Sequence, residues 1–391
     1  MWKKKRHSVI FWLLRGPFRL FLRIKYHYKA KKMKLPKRPY LIISNHLTTL
    51  DPFMLAVSFN FPIYFLTSAD LFSSKYGGLI KWLVNPIPKR KSVKEMGPIK
   101  DMVRICKEGG TVAVFPEGNR SYDGSQCFID DAIAKLAKLM KTDIILYNIH
   151  GGYGIDPRWS IKGRKGKSYG AIRKIITKED VAKMSVEELF KEIKTNINVP
   201  VVPTTVEFKS KNNALGLERV LYLCPKCGKT QTLYTESDYV KCRECGLEVK
   251  YNQNLEFETN DETFKFKYVS EWGKYQIDFV KSYQDKGQSI FTDKVQLYDV
   301  PFKKRPQLLM NGEVIMYSDR FEFQVAEEKL EFKFDDIFSV TCVGKNKLNF
   351  YIEDKTYQVK GDVTLNTLKY MQMYYHFKNL KEGKEDDYFG M

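Results

Sequence analysis

The first 50 residues contain no aspartate or glutamate, although 14 Lys or Arg fall within residues 1–40 and the chain's formal charge is +20. The remaining 351 residues carry 52 basic against 46 acidic side chains, which excludes a protein that is basic over its whole surface. No uninterrupted apolar run of about 20 residues occurs near the start, because Arg15, Pro17, Arg19 and Arg23 break it, so no bilayer-spanning helix is expected there. The same stretch lacks an apolar core followed by a small-residue cleavage site, so no signal peptide is expected either. Solenoid repeats and long low-complexity linkers are also missing. Disulfides are not expected: without a secretory signal, the seven cysteines read as reduced thiols.

At 391 residues the chain is long enough for two or three domains with packed cores. Its basic start forms an amphipathic helical pattern within residues 1–33. Leu13, Leu20, Phe21 and Ile24 share one side of the wheel, and Arg15, Arg19 and Arg23 share another. Aromatic residues interleaved with basic ones suit the interfacial layer of an anionic membrane, whereas a helix packed on its own domain is the plainer alternative. Beyond it, Tyr40 to Ser44, Ile63 to Leu66, Thr111 to Phe115 and Ile144 to Ile149 are apolar runs of strand length. Helical stripes alternate with them: Ile99, Val103 and Cys106, then Ile133, Leu136, Ala137 and Met140. Gly109-Gly110 supplies a stop, and Ser185 with Glu188 predicts a capping box. The alternation predicts an α/β domain with a mostly parallel sheet and flanking helices.

Two strings stand at the ends of predicted strands, where open α/β sheets bind ligands. The first is Asn45-His46-Leu47-Thr48-Thr49-Leu50-Asp51, and the second is Phe115-Pro116-Glu117-Gly118-Asn119-Arg120-Ser121. A histidine titrates near neutrality and a carboxylate five residues on can orient it, so His46 and Asp51 are a candidate general base and its partner. Alone, this spacing arises easily by chance. The second string adds a carboxylate and a guanidinium on a glycine-containing loop, and guanidinium matches phosphate geometry.

Together the strings resemble the H-x4-D and F-P-E-G-T-R-S motifs of the glycerolipid (lysophosphatidate) acyltransferases, with Asn119 in place of the family's Thr. The resemblance covers about the first half of the chain. It implies an O-acyltransferase domain over 34–210 that transfers a fatty acyl group from acyl-CoA or acyl carrier protein to the sn-2 hydroxyl of 1-acylglycerol 3-phosphate. His46 and Asp51 would be catalytic, and Glu117, Gly118, Arg120 and Arg90 would bind substrate. Around Arg90 the sequence departs from the family's G-x-x-F-I-x-R, with Val84, Ile87 and Pro88 at the differing positions. Another lysophospholipid or glycerol 3-phosphate is therefore the alternative acceptor. The implied location is peripheral, on the cytoplasmic face of the cell membrane, with residues 1–33 as the anchor.

Cys224, Cys227, Cys242 and Cys245 form two C-x2-C pairs, each followed by a glycine. Four thiolates in this spacing predict one structural zinc in a ribbon at 211–251, with no position left for a catalytic water. Zinc ribbons also occur in nucleic-acid-binding proteins, but the excess positive charge lies on the N-terminal arm and not here, so nucleic acid is not the expected partner. Residues 252–391 alternate at period two in several stretches before a helical pattern at about 364–380. That predicts a β-rich C-terminal module, and the pattern of hairpins closed by one helix resembles pleckstrin-homology or GRAM-like domains.

Overall fold

Tyr40–Ser44 (Tyr-Leu-Ile-Ile-Ser) is buried along its whole length, as a strand covered on both faces must be. It lies in the first of two units defined in a computed structural model that describes residues 5–31, 33, 35–36, 39–68, 77–89, 95–301 and 305–384. One unit comprises Met1–Pro157 and Arg164–Phe208, and the other comprises Arg158–Gly163 and Lys209–Met391.

The first unit begins with helix α1 (Lys5–Tyr26) and strands β1 (Tyr28–Ala30) and β2 (Tyr40–Ser44). Next come α2 (Asp51–Ser58), β3 (Ile63–Ser68), α3 (Gly77–Val84), β4 (Ile87–Lys89) and α4 (Met96–Lys107). The chain continues through β5 (Thr111–Val114), α5 (Ala132–Met140), β6 (Asp143–His150) and α6 (Gly152–Ile155). It ends with β7 (Ser168–Ile176), α7 (Lys178–Lys183) and α8 (Val186–Ile197). The seven strands run in the order β1-β7-β6-β2-β5-β3-β4. All neighbours are parallel except β6 and β7. Leu41, Ile43, Val112, Val114, Ile144 and Leu146 pack on one sheet face against helix residues including Met102, Ile105, Ile133, Leu189 and Ile193. Each fully buried aliphatic side chain there contributes about 1.5–3 kcal/mol.

The punctuation has local causes. Gly109 (φ 75°) takes the left-handed turn after α4, and a Cβ on Gly110 would lie 2.6 Å from Ile105 Cγ2. At the start of α8, Ser185 Oγ accepts from the Glu188 amide at 3.0 Å, and Glu188 Oε2 accepts from the Ser185 amide at 2.8 Å. That is the capping box the sequence predicts.

Helix α1 separates its faces as the wheel predicts. Arg15 and Arg19 turn toward the domain, donating to the carbonyls of Val57 and Ala30 at 3.3 and 3.5 Å. Ile10 and Leu22 are buried, whereas Trp12, Leu13, Leu20, Phe21 and Ile24 are exposed. Leu79 and Trp82 of α3 are exposed as well. No helix among the described residues is long and apolar enough to cross a membrane.

The second unit holds a four-stranded antiparallel sheet: β8 (Leu233–Glu236), β9 (Tyr239–Cys242), β10 (Glu248–Tyr251) and β11 (Phe257–Glu258). Helix α9 (Val269–Ser282) follows, then β12 (Phe291–Asp299), β13 (Gln307–Met316), β14 (Arg320–Val325) and β15 (Glu328–Lys333). The chain completes this unit with β16 (Ser339–Val343), β17 (Lys347–Ile352), β18 (Lys355–Lys360) and α10 (Leu368–Glu382). The last seven strands form an antiparallel sheet in the order β15-β14-β13-β12-β18-β17-β16, a meander whose first strand pairs with its last. The segment Arg158–Gly163 is part of this unit. Arg158 donates to the carbonyls of Cys342 (2.7 Å) and Gly344 (3.1 Å), and Trp159, 1% exposed, packs edge-on against Tyr251. Arg158 and Arg164 are both buried.

Candidate active site and four-cysteine centre

Because β2 pairs in parallel with β5 on one side and β6 on the other, the residues following all three strands emerge at one sheet edge. His46 follows β2, Phe115 to Ser121 follow β5, and Gly151-Gly152 follow β6.

His46 Nδ1 lies 2.8 Å from Asp51 Oδ2. Asp51 opens α2 and is fully buried. Its Oδ2 also accepts from the amides of Leu47 (2.6 Å) and Thr48 (2.8 Å), and its Oδ1 from Thr48 Oγ1 (2.7 Å). An acceptor fixed in this way receives a hydrogen bond from Nδ1–H, so the neutral ring keeps its proton on Nδ1 and Nε2 can act as the base. The Phe115 ring stacks on the imidazole at 4.6 Å with 26° between planes, and the histidine side chain keeps 21% exposure. The ring is thus held by an edge and a face, and among the described residues none engages Nε2.

Glu117 is 4% exposed. Its Oε1 accepts from the His46 amide at 2.9 Å and its Oε2 from the Cys127 amide at 3.2 Å. Burial pushes its carboxyl up to about 7, against the opposing pull of those two N–H groups. Gly118 has φ 65°, and a Cβ there would meet nothing within 4 Å; the turn's left-handed backbone, not crowding, explains this glycine. Arg120 Nη1 lies 3.8 Å from Asp156 Oδ2, which also accepts from Thr49 Oγ1 at 3.5 Å. Arg90 lies outside the described residues. Its neighbour Lys89 ends β4, and burial lowers its ammonium pKa. His150, at the end of β6, stacks on Tyr169 at 4.4 Å, and burial lowers its pKa too.

The structure therefore brings His46, Asp51, Glu117, Gly118 and Arg120 to one edge. Sequence reasoning assigns no role to Asn45, Thr48 and Phe115. All three stand inside the two strings, so membership of those strings was the available signal.

In the second unit, the thiols of Cys224, Cys227, Cys242 and Cys245 all lie within 4.8 Å of one another. The sulfurs of Cys224 and Cys245 are 3.6 Å apart, and those of Cys227 and Cys242 are 3.9 Å apart. A tetrahedron with metal–sulfur bonds of about 2.3 Å has edges of about 3.8 Å, so the donor set fits zinc. Gly228 (φ 68°) and Gly246 (φ 69°) supply the left-handed turn in each knuckle. From α9, Gln276 Oε1 accepts from the amides of Tyr222 (2.6 Å) and Leu223 (3.1 Å), while Trp272 Nε1 donates to the Leu223 carbonyl at 2.9 Å. The backbone entering the first knuckle is thereby pinned.

Residues 23–149 match the family model described as Acyltransferase, and residues 217–253 match one described as DNA directed RNA polymerase, 7 kDa subunit, a zinc ribbon. Among curated proteins, the chain is similar to a 1-acyl-sn-glycerol-3-phosphate acyltransferase of Borreliella burgdorferi, 25% identical over 29% of this chain and 48% of that one. It is also similar to a probable 1-acyl-sn-glycerol-3-phosphate acyltransferase of Mycoplasma genitalium, 27% identical over 22% of this chain and 34% of that one. The chain thus spans between about a third and a half of the length of these relatives. Among solved structures, the 1-acyl-sn-glycerophosphate (LPA) acyltransferase PlsC of Thermotoga maritima aligns with a TM-score of 0.41 and 20% identity, over 48% of this chain and 76% of that one. The motifs, the strand-end geometry and the family match agree: this chain carries an acyltransferase-family domain, followed by a four-cysteine ribbon and a β-rich module.

Proposed function

We propose that the protein transfers a fatty acyl group from acyl-CoA or acyl carrier protein to the sn-2 hydroxyl of 1-acylglycerol 3-phosphate, giving phosphatidate. The observation that carries this reading is the His46–Asp51 pair, with Nδ1 engaged at 2.8 Å and Nε2 left to accept a proton. As the acceptor oxygen attacks the thioester carbonyl, Nε2 takes the hydroxyl proton and Asp51 stabilises the imidazolium that forms. The tetrahedral intermediate then expels the thiolate, breaking the carbon–sulfur bond, and the imidazolium returns its proton to sulfur. No side chain needs to be acylated. Arg120 serves as a cationic contact for the acceptor phosphate, joined by Arg90. The names of the curated relatives support the lysophosphatidate acceptor. The departures around Arg90 favour a second reading, in which the acceptor is another lysophospholipid or glycerol 3-phosphate.

Membrane association at the cytoplasmic leaflet belongs to the same proposal. The exposed row Trp12, Leu13, Leu20, Phe21 and Ile24, flanked by Lys5, Arg6, Arg23 and Lys25, suits shallow insertion among anionic headgroups. Structural zinc at the four cysteines completes the proposal.

The deciding assay offers purified protein a panel of lysophospholipids and glycerol 3-phosphate, with acyl-CoA or acyl carrier protein as donor. Phosphatidate formation is expected, and formation of another product reassigns the acceptor. Salt-sensitive nucleic-acid binding lost on deletion of the ribbon, without any acyl transfer, would replace this reading with a nucleic-acid function. Leu13→Glu with Leu20→Glu is expected to release the protein from phosphatidylglycerol vesicles in a flotation assay. Unchanged flotation would move the contact elsewhere.

A further inference from the structure

A base must be aimed as well as activated, and the main chain around His46 is fixed by the side chain of its neighbour Asn45 and by Glu117 from another loop. Strand β2 keeps register with β6 as far as Ser44, opposite Tyr147. The backbone then leaves the sheet, but the Asn45 side chain does not. Its Nδ2 donates to the Ile149 carbonyl and its Oδ1 accepts from the Ile149 amide, both at 2.9 Å. A carboxamide offers the same donor and acceptor pair as a peptide group, so it continues the ladder while the chain itself turns away. Asn45 is 3% exposed, so no water replaces these bonds at the surface. One residue later, the His46 amide is held by Glu117 Oε1 at 2.9 Å, and the His46 carbonyl accepts from the Ser121 amide at 3.4 Å. The second Glu117 oxygen is taken by the Cys127 amide. Both carboxylate oxygens thus serve the protein's own backbone.

We propose that Asn45 and Glu117 are positioning residues that together fix the peptide carrying His46, and that Glu117 acts through this backbone rather than by touching the acceptor. The proposal rests on the acyl-transfer reading for its kinetic consequences but not for its structural ones. Asn45 holds the exit from β2 and Glu117 holds the turn that follows, so the imidazole pivots about an anchored Cα. Asp51 and Phe115 then need only set the ring's rotation. Aspartate at 45 would set a carboxylate oxygen against the Ile149 carbonyl, and glutamine at 117 would set an amide donor against one of the two N–H groups. Each replacement preserves shape while breaking one hydrogen bond.

The test compares wild type, Asn45→Asp, Glu117→Gln and His46→Ala with lysophosphatidate and palmitoyl-CoA. It also follows the His46 ring by nitrogen-resolved NMR in the full chain. Asn45→Asp and Glu117→Gln are expected to lower kcat by about 10- to 100-fold while the acceptor KM stays within about twofold, the signature of misaim rather than lost binding. The Nδ1 proton resonance bound to Asp51 is expected to shift or broaden in both variants. A Glu117→Gln enzyme whose acceptor KM rises while kcat is retained would overturn the proposal by making Glu117 a substrate contact. Wild-type kinetics and an unperturbed ring resonance in both variants would overturn it as well. If the wild type transfers no acyl group to any acceptor, the functional reading fails and the ring resonance alone decides the frame. If Asn45→Asp does not fold, the Glu117→Gln resonance and kinetics decide.

Discussion

The His46 corner and the four-cysteine cluster are both made by short motifs at turns, yet they use their ligand atoms in opposite ways. At the cluster, every thiol faces the other three. At the corner, Asp51 spends its oxygens on one imidazole nitrogen, two amides and a hydroxyl, and no described residue takes the second imidazole nitrogen. Closed donor sets hold structure together; a set with one group in reserve can do chemistry. The difference lies in how many partners the surrounding backbone supplies, not in how reactive the residue types are.

Metal removal is the harshest way to test the closed half of that contrast. Cys227→Ala, or chelation of the wild type, is expected to abolish the roughly one zinc per chain and unfold the ribbon, since structural zinc contributes on the order of 10 kcal/mol. Elemental analysis and circular dichroism would record it, and a ribbon that keeps its melting transition without metal would refute the closed-site description. At the open corner, His46→Ala is expected to cut acyl transfer by about 10²- to 10⁴-fold while leaving zinc content untouched. Retained activity would remove His46 from the mechanism.

Glu117 offers a gentler probe. A buried acid whose pKa is raised on folding stabilises the protein fully below the unfolded value and loses that contribution as pH rises through the folded one. Burial takes Glu117 from 4.5 to about 7. Wild type should therefore lose stability relative to Glu117→Gln between those values, by on the order of 3 kcal/mol. Urea denaturation at several pH values measures the gap, and a pH-independent difference would contradict the burial. Ser185→Ala, remote from both sites, should cost about 1 kcal/mol through its lost cap, visible as a small fall in urea midpoint with unchanged activity.

The buried strands and both motifs were legible in the sequence because their signals are local: continuous apolar runs, fixed spacings and glycine stops. The strand read at 40–44 is the strand observed, and the α8 capping box forms as written. Partner choice was not legible. The wheel separated the faces of α1, but only the carbonyls of Val57 and Ala30 determine that Arg15 and Arg19 face inward. Asn45 reads as an ordinary loop residue until the fold sets it opposite Ile149, 104 positions away. Likewise β12 and β13 carry a weak strand signal, since Thr292, Asp293 and Lys294 within β12, and Asn311, Gly312 and Glu313 within β13, interrupt the apolar alternation that flags a strand. Those strands pair with each other, β12 also with β18 and β13 also with β14.

Arg158–Gly163 bears on the order in which the protein is made. These residues leave the ribosome some fifty positions before Lys209 opens the rest of their unit. The carbonyls that Arg158 binds, on Cys342 and Gly344, come later still. Trp159, buried in the finished protein, has no Tyr251 to meet when it emerges. Trp159 therefore waits roughly 90 positions for Tyr251 and Arg158 roughly 180 for Cys342, an interval in which the segment is open to chaperones and proteases. For the same reason, no single cut separates the two units into complete halves.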